Sequence, residues 1–475
     1  MMTDGGNTSQ VRVAIIGSGP SGFYAADHLL KRREPQISVD MYERLPTPFG
    51  LVRGGVAPDH AKIKSVTKLY SRIASHERFR FFGNIEFGAD VTRFDLSEHY
   101  HGIVYAVGAQ TDRKLGIAGE DLPNSYAATE FVGWYNGHPD YHDFDFDLSG
   151  IKRVAVIGVG NVAMDVARIL ARTPEELYGT DIADYALEAL RRSEVEEIYV
   201  LGRRGPAQAA FTNPEIKELG EMADADIIVE CEDASLDELS ATHLKKARDR
   251  SAIRNVKILQ SYVDRGLTGK SRRIVMRFLV SPSEILGEER VEAMRIVKNE
   301  LYLDENGNLR PRATDQFEVF PVDMVFRSVG YRGVPLRDVP FYDRWGTIPN
   351  DQGRVLTKHE GRDRLTGNYV VGWIKRGPSG IIGTNKPDAI ESANCFLADL
   401  AAGEVLRPRD TRAESVLQMV RMRKPNFISF DEWKILDEIE LQRGVDRGRS
   451  RVKFTTVEEM LTALGKRTEM AGAGE

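Results

Sequence analysis

Two glycine clusters in this sequence have the spacing of loops that bind a nucleotide pyrophosphate. The first, GSGPSG at residues 17–22, directly follows the apolar run 11–16 and has the pattern G-x-G-x-x-G. In such a loop Gly17 permits a tight turn, Gly19 lets a pyrophosphate approach the backbone, and Gly22 lets a helix pack closely on a strand. The N–H groups and the dipole at the start of that helix favour the phosphate charge.

An acidic residue stands where the ribose of a bound adenosine nucleotide would lie. Glu43 ends a second strand-like run, 37–42, and comes 21 residues after Gly22. A carboxylate at the end of the second strand accepts hydrogen bonds from the ribose hydroxyls. The alternative is a surface glutamate without a ligand, and the preceding glycine loop favours the nucleotide role.

A second glycine loop begins a repeat of this pattern. Residues 158–163 (GVGNVA) follow the apolar run 152–157, with alanine at the third small position, as the fingerprint allows. The next strand-like run, 198–201, is followed by Arg203 and Arg204 instead of a carboxylate. Guanidinium groups bind a 2′-phosphate through paired hydrogen bonds, whereas a carboxylate repels it. The loop therefore predicts NADP over NAD, and the alternative is two solvated arginines at a strand end.

The runs around these loops predict the fold class. In the first half, apolar strand-like runs alternate with a helix-compatible run, at 11–16, 23–30, 37–42 and 102–109. The second half repeats the order, but Gly160 and Arg203 lie about twice as far apart as the roughly 20 residues expected, so an insertion must occupy that crossover. We predict an α/β protein with two Rossmann-like, doubly wound, three-layer dinucleotide-binding domains.

The remaining runs indicate where the domains begin and end. We expect three antiparallel strands to complete the second domain, at 274–280, 291–297 and 301–303, with turn chemistry at Asn306-Gly307. The run 322–330 has the period and the glycine ending of 102–109, so we expect the chain to return there to the first domain. The domain of the second glycine loop, 113–324, is then inserted into the domain of the first loop, which is formed by 1–112 and 325–475.

The last part of the sequence predicts a docked helical extension. Ser429 with Glu432, and Thr456 with Glu459, have the spacing of capping boxes at helix starts. Before them, residues 407–424 hold six basic and two acidic side chains. A solvated helix face is the plainer interpretation of that segment.

Composition excludes several classes of protein. The net charge of −6 over 475 residues argues against a dedicated nucleic-acid binder, and no apolar run reaches spanning length. The two cysteines, Cys231 and Cys395, are too far apart for a CxxC pair or an iron-sulfur cluster, so we expect neither these nor any other metal site. Residues 1–10 are polar and lack a secretory pattern, so we expect a cytoplasmic protein.

One site suited to a ribose diol and one suited to a 2′-phosphate fit FAD plus NADPH better than two nicotinamide nucleotides. In that pairing FAD accepts a hydride from NADPH, and the protein orients the two rings. No nucleophile is needed for this chemistry.

At this point the sequence resembles a known family, the adrenodoxin reductase-like ferredoxin-NADP reductases, which are glutathione reductase-like flavoproteins. The resemblance spans most of the chain. It rests on GSGPSG (17–22), PFGLVR (48–53), GVAPDH (55–60), GRRGP (202–206), GWIKRGP (372–378) and GTNK (383–386).

The resemblance implies two sets of cofactor contacts. FAD would be held by Ser21, Glu43, Leu51, the backbone near Phe87, Trp373, and the stretch Gly380-Ile381-Ile382. NADPH would contact Val159, Gly160, Asn161 and Val162 at its pyrophosphate, Arg203 and Arg204 at its 2′-phosphate, and also Arg113, Glu215 and Gly380.

The resemblance also places His60, Trp373 and Gly380 nearest the reacting rings. His60 would tune the flavin or relay protons, with a hydrogen-bonded structural histidine as the alternative. Trp373 as plain core is the alternative for that residue. Pro387 at an early helical position predicts a helix starting near residue 385, whose dipole would stabilise the negative charge of reduced flavin if it faces the ring.

The family passes single electrons to an iron-sulfur ferredoxin, which can supply acceptors such as cytochrome P450. Because such partners are acidic, a basic docking surface is expected, with Lys217 or the arginines of 407–424 as candidates.

Three other functions share parts of this pattern. A disulfide oxidoreductase needs a cysteine pair that this chain lacks. An FAD- and NADPH-dependent oxidase, diaphorase or monooxygenase remains the alternative enzyme. A non-catalytic electron-transfer subunit would usually carry cysteine-rich iron-sulfur segments, which are missing here.

Overall fold

The computed structural model describes residues 11–466. The polar segment 1–10, on which the expectation of no secretory signal rests, lies outside the described residues. The strands are β1 (Val11–Ile16), β2 (Ile37–Tyr42), β3 (Phe79–Phe82), β4 (Gly102–Tyr105), β5 (Thr111–Asp112), β6 (Ser125–Ala127), β7 (Arg153–Ile157), β8 (Glu197–Gly202), β9 (Ala225–Val229), β10 (Arg272–Phe278), β11 (Val280–Leu286), β12 (Ala293–Leu303), β13 (Leu309–Pro321), β14 (Met324–Arg327), β15 (Tyr331–Arg332), β16 (Asn350–Asp351), β17 (Arg354–Leu356) and β18 (Arg364–Val370).

The helices are α1 (Pro20–Leu30), α2 (Leu51–Gly54), α3 (Ala61–Lys64), α4 (Thr67–Ala74), α5 (Arg93–Ser97), α6 (Ala128–Tyr135), α7 (Asn161–Ala171), α8 (Pro174–Tyr178), α9 (Asp184–Arg191), α10 (Asn213–Leu219), α11 (Cys231–Ala234), α12 (Glu238–Ala247), α13 (Arg250–Val263), α14 (Trp373–Arg376), α15 (Asn385–Ala402), α16 (Ala413–Arg423), α17 (Phe430–Asp446) and α18 (Val457–Ala463). Short 3₁₀ turns cover Pro139–Tyr141, Pro206–Gln208 and Ile382–Thr384.

The first of two compact units contains the first glycine loop. Of the described chain it comprises residues 11–56, 60–111 and 331–466. Its sheet has the order β16-β17-β18-β4-β1-β2-β3, and the five strands from β18 to β3 run parallel. All residues of β1 and β2 are buried, because helices cover both faces of a parallel sheet. With β1 at the centre, this order is that of a doubly wound nucleotide-binding sheet.

The second unit comprises residues 57–59 and 112–330, and therefore interrupts the first along the chain. Its main sheet has the order β6-β14-β7-β8-β10-β9, with every pair parallel. A separate antiparallel sheet, β11-β12-β13, follows β10 along the chain. The predicted fold class, α/β with two Rossmann-like sheets and a helical C-terminal region, is confirmed.

Three predicted strand assignments are wrong. The runs 291–297 and 301–303 were expected to be separate strands, but both belong to the single strand β12. The run 274–280 was expected in an antiparallel sheet, but most of it forms β10, which lies between β8 and β9 in the parallel sheet. The run 322–330 was expected to return the chain to the first domain, but β14 pairs with β6 and β7 in the second unit. A buried apolar strand has the same appearance in either sheet, so periodicity alone does not assign its partners.

The long crossover between Gly160 and Arg203 is filled by helices. After α7, the short helix α8 begins at Thr173 with a capping box to Glu176, and α9 follows before β8. Both helices contribute to the core of the second unit through apolar residues such as Leu177 and Leu187. The predicted insertion is therefore an ordered helical addition to the βαβ unit.

The C-terminal extension is helical, as predicted. Helix α17 begins at Ser429 with the expected capping box to Glu432. Helix α18 begins at Thr456, whose hydroxyl accepts a hydrogen bond from the backbone N–H of Glu459. Trp433 and Met460 of these helices belong to the same apolar core as α1 of the first unit.

Candidate cofactor sites

The first glycine loop joins β1 to α1, and its three glycines have different surroundings. Gly17 has a φ of +103°, and a Cβ there would lie 2.6 Å from the carbonyl oxygen of Ala106. A Cβ on Gly22 would lie 2.4 Å from the oxygen of Gly17. A Cβ on Gly19, the N-cap of α1, would meet no described atom within 4 Å. The outer glycines thus allow close packing inside the protein, whereas the middle one leaves open space beside the helix N-terminus.

Glu43 is joined directly to this loop. Its Oε2 accepts hydrogen bonds from the backbone N–H and the hydroxyl of Ser18, at 2.9 and 2.6 Å, and its Oε1 accepts from the N–H of Leu45 at 3.1 Å. The carboxylate is half-buried at the end of β2, the position predicted for a ribose acceptor. The Ser18 bonds fix its orientation against the loop, a detail that the sequence motif does not contain.

The segment after β2 packs on the same loop. The N–H of Phe49 donates to the carbonyl oxygen of Ser18 at 3.1 Å, and a Cβ on Gly50 would lie 2.9 Å from the Cα of Gly19. Phe49 itself has a φ of +86°, which is rare for a bulky residue and indicates a tightly constrained turn. Leu51 follows at the start of α2 and is partly exposed.

Trp373 is the first residue of α14, and the residue before it, Gly372, lies against Ser21 of α1. A Cβ on Gly372 would lie 2.5 Å from the Oγ of Ser21, so the two chain segments touch at a glycine. The N–H of Gly372 donates to the carboxylate of Asp388 at 2.5 Å. Asp388 is also 3.0 Å from the Nζ of Lys375, and it anchors the turn into α14. No sequence pattern indicated a function for Asp388, because its partners are more than ten residues away.

The indole of Trp373 carries an unsatisfied donor. Its ring stacks at a tilt on Tyr331 with centroids 5.3 Å apart, and its Nε1 is buried without a hydrogen-bond acceptor among the described residues. A buried N–H of this kind costs free energy unless something accepts its hydrogen bond. Trp373 is therefore poorly explained as plain core.

The other FAD candidates lie in the same unit. Gly380 has a φ of +82° and, with Ile381, is exposed, while Ile382 begins a 3₁₀ turn leading into α15. Helix α15 begins at Asn385, as predicted from Pro387. Phe87 is buried against Tyr105 with ring centroids 5.6 Å apart.

The second glycine loop repeats the geometry of the first. Gly158 has a φ of +134°, and a Cβ there would lie 2.1 Å from the carbonyl oxygen of Ser328. A Cβ on Gly160, the N-cap of α7, would meet nothing within 4 Å in the described chain. Val159 accepts backbone hydrogen bonds from residues 210 and 211, and the Oδ1 of Asn161 accepts one from the N–H of Thr212 at 2.9 Å. Val162, half-buried in the first turn of α7, packs against the unit's core.

Arg203 and Arg204 follow β8 and carry uncompensated charge. Arg203 is exposed and Arg204 half-buried, and neither guanidinium has an ion pair or a side-chain hydrogen bond within residues 11–466. Burial lowers the pKa of Arg204, and the positive charges of Arg203 and Arg310 lower it further. Two neighbouring guanidinium groups without a carboxylate partner, Arg203 and Arg204, form an environment that a phosphate would stabilise.

Glu215 forms a buried ion pair with Arg168. The Nη1 of Arg168, a fully buried residue of α7, donates to the Oε2 of Glu215 at 2.9 Å. The same guanidinium pairs with Asp59 and Asp165, each with a shortest distance of 2.7 Å. Arg168 therefore holds Glu215 in its own unit, and sequence analysis missed this arginine because its partners come from three separate segments.

His60 and Arg113 occupy different settings. His60 is half-buried, and its backbone carbonyl accepts hydrogen bonds from Ile63 and Lys64 at the start of α3. Arg113 is exposed, and its backbone N–H donates to the carbonyl oxygen of Gly330 at 3.0 Å.

The basic segment 407–424 is largely neutralised by its own unit. Four of its six basic residues form ion pairs, Arg409 with Glu98, Arg412 with Asp410, Arg423 with Asp95, and Lys424 with Asp90. The other docking candidate, Lys217, lies 3.3 Å from Glu221 on the next turn of its helix. The ion pairs balance most of the charge of the segment and leave Arg407 and Arg421 as its basic residues without an ion pair within residues 11–466.

None of the helices within residues 11–466 combines the length and the apolar character that crossing a bilayer requires. Cys231 is exposed in the second unit and Cys395 is buried in the first, and neither forms a disulfide.

Comparisons with known proteins match this arrangement. A family model described as pyridine nucleotide-disulphide oxidoreductase matches residues 11–200. NADPH-ferredoxin reductase FprA of Mycobacterium tuberculosis is 45% identical over 94% of this chain and 98% of its own length. The mitochondrial NADPH:adrenodoxin oxidoreductase of Arabidopsis thaliana is 39% identical over 95% of each chain.

A solved structure, Mycobacterium tuberculosis FprA in complex with NADPH, superposes with a TM-score of 0.90. It is 44% identical in sequence, and the match covers 96% of this chain and all of that one. The chain therefore belongs to the family of the NADPH-ferredoxin and NADPH:adrenodoxin reductases.

Proposed function

We propose that this protein is a ferredoxin-NADP reductase, in which FAD takes a hydride from NADPH and single electrons pass on to an iron-sulfur ferredoxin. The observation that carries the proposal is that the chain has two similar glycine loops, and that the strand following each loop ends in side chains of opposite charge. One loop is followed by the carboxylate of Glu43, and the other by Arg203 and Arg204 without counter-ions among the described residues. The close relationship to FprA supports the ferredoxin partner.

The residues of the first unit fit FAD. The open space beside Gly19 adjoins the N-terminus of an eleven-residue helix, where backbone N–H groups favour a pyrophosphate. Glu43 presents a carboxylate, already oriented by Ser18, at the ribose position. The buried Nε1 of Trp373 provides a donor for a polar group that the described chain does not supply. We assign Ser21, Leu51, Phe87, Ile381 and Ile382 to the same site, since the resemblance to the family implies them.

The residues of the second unit fit NADPH. Gly160 leaves space at the N-terminus of α7, the geometry that a pyrophosphate needs. Arg203 and Arg204 supply the charge for a 2′-phosphate, and NADH lacks that group. The remaining proposed contacts in this unit are Val159, Asn161, Val162, Arg113 and Glu215. The resemblance to the family also implies Gly380, which belongs to the first unit.

When bound, the flavin converts a two-electron hydride into single-electron transfers. The residues of this chain then have the tasks of binding, orientation and charge stabilisation. Helix α15, 18 residues long, begins directly after the Gly380–Ile382 stretch, and its N-terminal dipole favours negative charge at that end. Lys375 and Arg376 lie in the preceding turn, where Asp388 partly balances them. His60 is proposed to tune this environment or to relay protons.

The cytoplasm is the proposed location, since the sequence has two separate cysteines and no paired thiols.

Ferredoxin is proposed to dock on a basic surface. The candidates are Arg407 and Arg421 in the first unit and, separately, Lys217 in the second, although the i,i+4 contact with Glu221 weakens the case for Lys217.

An anaerobic absorbance titration tests this function. We expect the purified protein to show flavin bands that NADPH bleaches near stoichiometrically and NADH bleaches less readily. The reduced protein should then reduce cytochrome c only when an iron-sulfur ferredoxin is added. A colourless protein that does not take up FAD would overturn the proposal. Consumption of NADPH matched to hydroxylation of a substrate would favour a monooxygenase instead.

A further inference from the structure

We infer that Asn299 is a positioning residue for the 2′-phosphate site, because its buried amide holds the backbone carbonyl of Arg203 and thereby sets the direction of the arginine pair. This inference rests on the proposed binding of NADPH at Arg203 and Arg204. All the residues involved belong to the second unit.

The amide of Asn299 has two directed contacts. Asn299 lies on β12 and is only 5% exposed. Its Nδ2 donates hydrogen bonds to the carbonyl oxygen of Arg203 at 2.9 Å and to the Oγ of Ser281 at 2.8 Å. Both N–H groups of the amide are therefore used, and the side chain has little freedom to turn away from Arg203.

The carbonyl of Arg204 is held by the same region of the structure. It accepts a hydrogen bond from the N–H of Leu279 at 3.2 Å, and the carbonyl of Leu279 accepts one from the N–H of Asn299 at 2.6 Å. Leu279 has a φ of +54°, a left-handed conformation that a leucine adopts only when its surroundings enforce it. Asn299 thus connects to both carbonyls of the arginine pair, once directly and once through Leu279.

The sheet is irregular beside Asn299. The pairing of β12 with β13 shifts register between Val297 and Asn299. The extra residues lie on β13, between Ala313 and Phe317, so the regular ladder between the two strands is interrupted next to Asn299. Asparagine is also disfavoured in strands, so packing alone does not account for its presence at a buried position.

The repulsion between the two arginines makes a fixed backbone at Arg203 and Arg204 important for binding. Two adjacent guanidinium groups repel each other, and no carboxylate among residues 11–466 pairs with either. Arg204 is in addition half-buried, where repulsion is less screened. A fixed backbone lowers the conformational entropy that is lost when both side chains close on one phosphate.

The test measures the binding of adenosine 2′,5′-bisphosphate and of 5′-AMP to the flavin-loaded full chain by calorimetry. The variant is Asn299→Leu, which keeps the number and branching of the side-chain heavy atoms and removes both hydrogen bonds. The control is Asn136→Leu, which removes another buried amide, one that donates to the Val132 carbonyl at 3.1 Å in the same unit. Retained flavin absorbance shows that each variant has folded.

We expect Asn299→Leu to bind the bisphosphate about tenfold more weakly, the effect of one directed hydrogen bond, and to bind 5′-AMP as wild type does. The KM for NADPH should rise with little change in kcat, while the KM for NADH stays constant. Asn136→Leu should leave the ratio of the two affinities unchanged. If Asn299→Leu does not fold, Ser281→Ala carries the test, since it removes the second acceptor and should weaken bisphosphate binding about threefold.

Two results would overturn the inference while leaving the proposed function intact. They are unchanged bisphosphate affinity in the folded variant, and an equal loss for both ligands. A wild-type protein with no preference for the bisphosphate over 5′-AMP would instead remove the 2′-phosphate site itself, and the inference with it.

Discussion

Arg53 and Glu440, which lie 387 residues apart in sequence, form a two-point ion pair with distances of 2.9 Å (Nη1 to Oε2) and 2.5 Å (Nη2 to Oε1). Glu440 is fully buried on α17, and it also accepts hydrogen bonds from Arg451 and from the backbone N–H of Phe454. Arg53 lies in α2, directly after the turn that packs on the first glycine loop. The C-terminal extension is therefore attached to the segment proposed to line the FAD site.

This relationship predicts the effect of Glu440→Gln. The change removes the charge of a fully buried carboxylate from two partly buried guanidinium groups, of which Arg451 keeps a second partner, Asp437, at 2.6 Å. Because the loss of one partner from a buried pair costs about 3–5 kcal/mol and these arginines are only partly buried, we expect the free energy of unfolding to fall by about 3 kcal/mol. We expect a lower Tm and faster release of FAD. The release is measured as a rise in flavin fluorescence. Glu438→Gln on the same helix is the control, because no ion pair of that residue occurs in the described chain. Equal stability of the two variants would contradict the prediction.

The same pair predicts a pH dependence. Burial alone would raise the pKa of Glu440, but Arg53 and Arg451 outweigh it, so that its pKa lies below the usual value near 4.5. A carboxyl with a lowered pKa in the folded state stabilises the protein above its unfolded-state pKa, and this contribution declines as the pH falls. The difference in Tm between wild type and Glu440→Gln should therefore be full at pH 7 and shrink below about pH 4.5. A difference independent of pH down to pH 3 would show that the carboxylate charge is not responsible.

The second glycine loop predicts opposite results for two alanine substitutions. Gly160→Ala places its methyl group in open space, so we expect a change in unfolding free energy within about 1 kcal/mol and weakened NADPH binding. Gly158→Ala is strained at a φ of +134° and brings its Cβ to 2.1 Å from a backbone oxygen, so we expect loss of folding. Thermal denaturation and NADPH titration distinguish the two. Normal NADPH affinity in Gly160→Ala would argue against a pyrophosphate at this position.

The arginine pair predicts a change of coenzyme preference. Replacing Arg203 and Arg204 with alanine should raise the KM for NADPH by about tenfold or more per residue, because a hydrogen bond to a charged group contributes about 1.5–3 kcal/mol. The KM for NADH should change little. Arg273→Ala is the control, since that arginine lies on a neighbouring strand and pairs with Glu197 at 3.2 Å. Equal losses with both nucleotides would remove the arginines from this role.

The remaining basic side chains predict where ferredoxin docks. Charge reversal at Lys217 and Arg421 together should weaken ferredoxin-dependent reduction of cytochrome c and flatten its dependence on salt. Reduction of ferricyanide by NADPH, which needs no protein partner, should stay unchanged and serves as the control. An unaltered salt dependence would place the docking surface elsewhere.

Local patterns account for the parts of this protein that the sequence could predict. The glycine loops, strands β1, β2 and β7, helix α7 and the caps of α17 and α18 depend on residues within one or two turns of each other. Backbone conformation and hydrogen bonding at such short range follow from residue type and spacing, so each was recognisable before the fold was known. The proposal of a ribose diol at one loop and a 2′-phosphate at the other also came from residue type alone.

Strand partners and buried polar contacts depended on the tertiary structure. Strands β10 and β14 are apolar runs whose place in the parallel sheet is decided by which buried surface they complete, and that information is not local. Asn299 with the Arg203 carbonyl, Arg168 with Glu215, and Arg53 with Glu440 join segments 47 to 387 residues apart, and no spacing rule relates them. The sequence alone therefore determined which groups could bind the cofactors, while only the folded chain decided which side chains hold those groups in place, because long-range packing is set by the whole set of competing contacts.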